Sequence, residues 1–79
     1  MAAGGVVEID LHGKNAYQAK ITIDAALRRA KAGTSRLRIV HGYNGGTALR
    51  DMVRQEYAGR VLRVIPLDQG RTDLVLREF

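Results

Sequence analysis

The chain has 79 residues, 46% of them hydrophobic and one of them proline. That is enough for one folded domain but not two, and it is not the composition of a disordered segment. The absence of cysteine excludes disulfides and thiolate metal sites. A net charge of +5 biases the domain toward polyanionic partners, although a solvated basic surface would look the same.

Residues 1–5 read as a short flexible lead into a single domain at 6–79. Val6 to Leu11 alternates Val7, Ile9 and Leu11 with Glu8, Asp10 and His12, the period of two expected of a strand. Gly13 breaks it. Asn15, with Gln18 three residues on, has the spacing of a capping box. Ala16, Ala19, Ile23, Ala26, Leu27 and Ala30 then follow at helical spacing, and Gly33 reads as the C′ stop.

Leu37 to His41 is a second strand, ended by Gly42. A glycine-rich loop leads to Thr47 as N-cap of a second helix, with Leu49, Met52, Val53 and Tyr57 as its apolar stripe and Gly59 as its end. Val61 to Ile65 is apolar enough to suggest an interior third strand. Gln69-Gly70-Arg71 reads as a hairpin turn into a final strand, Asp73 to Arg77.

The order β-α-β-α-β-β predicts an α/β two-layer sandwich: about four strands in a mixed sheet, two helices on one face, and mainly parallel pairing with one antiparallel strand from the closing hairpin. The opposite sheet face is then partly open, which suits Glu8, Asp10 and His12. No apolar run approaches the ~20 residues of a membrane span. No basic-then-apolar leader follows Met1, so the cytoplasm is the expected compartment and no membrane partner is expected.

Two segments can carry chemistry. In Ile9-Asp10-Leu11-His12-Gly13, the carboxylate and imidazole lie two apart on a strand and so share a face. Asp10 beside His12 would orient the ring and raise its basicity. In His41-Gly42-Tyr43-Asn44-Gly45-Gly46-Thr47, the glycines permit sharp turning and close approach to a ligand, and the following helix start favours phosphate. Arg50 in that helix's first turn opposes the helix dipole, which an anion beside it would explain. The chain's two histidines lie about one βαβ unit apart, each followed by glycine. Each alone reads more simply as a structural strand-end residue, the loop as a turn, and Asp10 as a cap. The matched pair is harder to dismiss.

Ile9-Asp10-Leu11-His12-Gly13 resembles the Leu-Asp-Leu-His-Gly signature of the Smr (small MutS-related) family. His41-Gly42 with its downstream glycines, then Ala48-Leu49-Arg50, resembles the family's second signature, a His-Gly glycine loop ending in Leu-Arg. The resemblance runs over nearly the whole chain as a stand-alone domain. It implies a fold similar to the C-terminal domain of translation initiation factor three, and nicking or cutting of DNA or RNA, in some members at ribosomes. It implies Asp10 and His12 as catalytic, and His41, Gly42, Gly45 and Gly46 as substrate-binding. Ile9 departs mildly from the signature. Lys14 stands where an apolar residue is common and adds charge beside the site. Tyr43-Asn44 replaces a basic residue and glycine, and Tyr43 either stacks on a base or packs on the sheet rim.

The expected activity is therefore an endonuclease, RNA favoured over DNA. His12 would take a proton, His41 would serve the leaving oxygen or the phosphate, and Lys14, Arg50 and the loop amides would hold the phosphate. This route needs no metal, and a Mg²⁺ ion on Asp10 alone is thinly supported. The rivals are a nucleic-acid or ribosome-binding module without catalysis, and a small phosphorylated ligand in the loop. Against the last, the loop lacks a P-loop ending and no GxGxxG occurs.

Overall fold

The structure, a computed structural model, describes residues 5–30, 32–42 and 47–77. Its elements run β1 (Val6–Asp10), α1 (Ala16–Arg29), β2 (Arg36–Val40), α2 (Ala48–Glu56), β3 (Arg63–Asp68) and β4 (Arg71–Val75). The four strands form one mixed sheet in the order β1-β2-β4-β3. Both helices lie on the same face. Ala19 and Ile23 of α1, Val53 of α2 and Tyr57 at its C-cap share one core with Leu11, Leu37, Ile39 and Leu74 of the sheet segments. Full burial of each large apolar side chain there contributes about 1.5–3 kcal/mol. The two-layer sandwich expected from the element order is what forms.

Local signals set the elements. Asn15 Oδ1 accepts the Gln18 amide at 2.8 Å, and Gln18 Oε1 accepts the Asn15 amide at 3.0 Å, so the capping box is complete. Along α1, Ala19 and Ile23 are one turn apart and buried. At the other end, Gly33 is not a left-handed stop. The helix ends earlier, at Arg29, and Ala30 turns the chain into extended backbone. Thr47 precedes α2 as expected, but its hydroxyl donates to Asp51 Oδ2 at 3.1 Å and leaves the backbone uncapped. Gly5 has φ +54°, and its carbonyl accepts the Ser35 amide at 2.8 Å. A Cβ at Gly5 would lie 1.8 Å from the Gly33 carbonyl oxygen, an approach only glycine allows. Residues 1–4 lie outside the described residues.

The sheet differs from expectation in two ways. Only β1 and β2 pair in parallel; β2 with β4, and β4 with β3, are antiparallel. The strand expected to be interior is an edge: β3 is exposed along most of its length, with Pro66 and a register shift between Pro66 and Asp68. Proline cannot donate to a ladder, so an edge is where it fits. The interior place belongs to β4, whose Thr72, Asp73, Leu74 and Val75 are all buried. The hairpin turn at Gln69-Gly70 forms where expected, with the Gly70 amide donating to Asp68 Oδ1 at 2.9 Å.

On the sheet face away from the helices, Asp73 is fully buried between two arginines. Arg38 donates to both of its oxygens, at 2.9 and 3.1 Å, and Arg36 to one, at 2.8 Å. Burial, the largest influence, pushes this carboxyl up. The hydrogen bonds and charges of Arg38 and Arg36 together outweigh it and hold the group below the usual carboxylate range. The two helices are tied by Tyr57, whose hydroxyl donates to Asp24 Oδ1 at 2.6 Å while the Arg60 guanidinium lies over its ring.

Candidate functional site

The carboxyl ends of the parallel pair β1 and β2 open onto a depression of about 220 Å³, lined by Asp10, His12, Val40, His41 and Gly42. Two segments distant in sequence meet there, at the end of an α/β sheet where ligands commonly bind. A larger groove, about 510 Å³, lies where β3 starts and β4 ends. Its lining mixes apolar side chains (Leu27, Val61, Leu62 and Leu76 among others) with Arg60 and Arg77, and it holds neither carboxylate nor imidazole.

The two histidines enter the depression differently. The ladder pairs Asp10 with Val40, so His41 is level with Leu11, not with His12. Leu11 and His41 therefore point to the helix side and are buried, and His12 is exposed. The expectation that the two occupy equivalent places is corrected by this offset of one residue, since successive side chains of a strand face opposite ways.

Asp10 and His12 are coupled through the backbone. Asp10 Oδ1 accepts the His12 amide at 2.9 Å, fixing the turn in which Gly13 takes φ +77°. The His12 imidazole makes no hydrogen bond to the described residues, so the expected steering of the ring by Asp10 is replaced by steering of the main chain. The Lys14 amide donates to the Leu11 carbonyl at 3.0 Å, completing this turn.

His41 is 8% exposed and fully bonded. Its Nδ1–H donates to the Gly42 carbonyl at 3.0 Å, and its Nε2 accepts the Thr72 hydroxyl at 2.8 Å. Burial first, then the charges of Arg54 and Arg50, hold the ring below its ordinary value of 6.5 against the opposing pull of Gly42 and Asp68. The neutral ring is thus the resident form. Gly42 has φ +69°, in the left-handed region that favours glycine. The His41 and Gly42 amides both donate to the Gly70 carbonyl, at 2.9 and 3.0 Å, which ties the end of β2 to the hairpin.

Arg50, partly exposed in the first turns of α2, is balanced by Asp51 at 3.3 Å. Tyr43, Gly45 and Gly46 lie outside the described residues. Among the described residues no group of three or more His, Asp or Glu converges as metal ligands would, and no helix is long and apolar enough to cross a membrane. Thr72 and Arg54, which hold His41, were not singled out in the sequence. Both are ordinary residue types there, and only the antiparallel return of β4 brings Thr72 to the site.

Fold and depression together define a small α/β domain that gathers a carboxylate, an imidazole and a glycine turn at one end of a parallel strand pair. A family model, the Smr domain, matches residues 9–66, well over half of the chain, and the chain belongs to that family. At family level this is a nucleic-acid-binding, nuclease-like module. No curated protein and no solved structure matches the chain.

Proposed function

We propose that this Smr domain is an endonuclease acting on RNA in preference to DNA. The observation that carries the reading is the shared depression: Asp10 and His12 from the end of β1 face the His41-Gly42 turn from the end of β2. The exposed His12 ring serves as general base. It takes the proton of a 2′-hydroxyl, whose oxygen then attacks the adjacent phosphorus. The bond from phosphorus to the 5′-oxygen breaks, leaving a cyclic phosphate, and water supplies the proton to the departing oxygen. Asp10 holds the His12 main chain in the turn that presents the ring. Lys14 and Arg50 attract the phosphate, and Gly45 and Gly46, which lie outside the described residues, are assigned to hold it through their amides. His41, with both ring nitrogens bonded, acts on the turn rather than on the phosphate.

The route uses the 2′-hydroxyl and no metal. The test is a labelled single-stranded RNA, its DNA counterpart, and RNAs carrying a single 2′-deoxy position, all with EDTA. Cleavage of the RNA that a 2′-deoxy substitution blocks at its own position is the expected result. RNA retarded but never cut would identify a binding module instead. Cutting of both polymers only without EDTA would replace this route with metal-dependent hydrolysis.

A further inference from the structure

The family match ends at residue 66, before β4. Yet β4 supplies the group that holds His41. Thr72 Oγ is completely buried, donates to His41 Nε2 at 2.8 Å, and accepts from Arg54 Nε at 3.0 Å. Arg54 also donates to the Asp68 carbonyl at 3.2 Å. Three elements, α2, β4 and the end of β2, thus contribute one side chain each to a single line of hydrogen bonds that runs from the half-buried Arg54 inward to His41.

The direction of that line is forced. A guanidinium can only donate, so the Thr72 oxygen must accept from Arg54. Thr72 can accept twice, so that bond alone leaves its proton undirected; the Gly42 carbonyl, however, can only accept, and so takes its proton from His41 Nδ1. In the neutral ring Nε2 then has no proton of its own, and it accepts the hydroxyl proton of Thr72. Protonating the ring would place a second donor against Thr72 and leave the hydroxyl proton without its acceptor.

We propose that Thr72, backed by Arg54, is a positioning residue of the candidate site: it fixes His41 as the Nδ1–H tautomer and, through that proton, the left-handed turn at Gly42 by which the chain leaves β2. Its effect on nucleic acid rests on the function proposed above, whereas its effect on His41 and Gly42 does not. A purely space-filling role would be met as well by valine, which has nearly the same shape.

The test compares Thr72→Val, Thr72→Ser and, as a destabilised control, Leu74→Val, whose side chain packs in the same core without hydrogen-bonding the ring. Long-range ¹⁵N–¹H spectra read the His41 tautomer, amide exchange reads Gly42, and single-stranded RNA reads affinity and cleavage. Thr72→Val is expected to mix the two tautomers and to lower Gly42 amide protection about tenfold, the loss of one hydrogen bond of ordinary worth. It raises KM for RNA more than it lowers kcat. Thr72→Ser restores all three, and Leu74→Val leaves the tautomer intact. An unchanged Nδ1–H tautomer and unchanged Gly42 protection in folded Thr72→Val overturn the proposal. So does failure of serine to restore them. If the wild-type protein neither binds nor cuts RNA, the proposed function falls while the spectra still decide the role of Thr72.

Discussion

The two His-Gly ends of the domain look interchangeable in the sequence and behave oppositely in the fold. At the end of β1, the His12 ring is exposed and unbonded to the described residues, and its main chain is held by Asp10. At the end of β2, the His41 ring is buried and both nitrogens are engaged. One residue of register separates them. A strand end can thus offer a side chain to a ligand or use it to brace its own loop. Parity of the ladder decides which, not the dipeptide.

The largest effect that tests this contrast is catalytic. His12→Ala is expected to lower RNA cleavage by about 10²–10⁴-fold, the range for removing a general base, with the melting temperature unchanged and RNA retained. Full cutting by that variant would dismiss His12 as the base. Next, His41→Ala is expected to destabilise the domain by about 1–3 kcal/mol, because it strands the buried Thr72 hydroxyl and removes core volume. In a domain of this size, each kcal/mol shifts the melting temperature by about 4–8 °C. Equal thermal cost for the two histidine variants would break the contrast.

A smaller effect separates the turn beside His12 from the helix behind it. Asn15→Ala removes the capping box and should cost about 1 kcal/mol in denaturant unfolding. It should lower cleavage no more than the loss of folded protein explains. A much larger drop in activity would mean that α1 itself takes part in the reaction.

The smallest effect is in pH. The His41 ring is held below 6.5 in the folded chain, so the unfolded chain binds more protons once the pH drops past 6.5. The stability from the neutral ring is fully present above that value and is lost as the pH falls through the folded ring's own, lower value. The charges acting on the ring are those of Arg50 and Arg54 from α2 and of Asp68 at the end of β3; Asp10 and His12 line the same depression. Asp24 and Asp73, both lowered from 3.8, add their own losses only in stronger acid. Unfolding free energy measured from about pH 7.5 to 5 should therefore decline in the wild type and flatten in His41→Gln. Parallel curves would show that another group carries the slope.

Much of the fold was legible because its signals are local. The capping box at Asn15, the alternation in β1, the Val53–Tyr57 spacing and the Gln69-Gly70 turn each depend on a few neighbours in sequence. The sheet order was not, because a closing hairpin can dock by either of its strands, and the apolar run from Val61 to Ile65 hinted at the wrong one. Nothing in their immediate sequence marked Thr72 or Asp73 as buried. They are buried because each meets partners distant in the chain: His41 and Arg54 for one, Arg36 and Arg38 for the other. The meeting of the β1 and β2 ends followed from their parallel pairing. The inward turn of His41 did not, since it needed the exact register.

The sheet order has a consequence for how the molecule is born. The last of the four strands in chain order, β4, occupies the gap between β2 and β3 and is the only neighbour β3 has among the described residues. While a nascent chain is still missing residues 71–75, β3 has nothing to pair with, the Arg36–Arg38 pair has no counter-charge from Asp73, and the imidazole of residue 41 has no hydroxyl beneath it. On synthesis from the N-terminus the sheet is therefore expected to close only once β4 has emerged, and a product truncated before that strand would carry both signature motifs without the strand that joins β2 to β3.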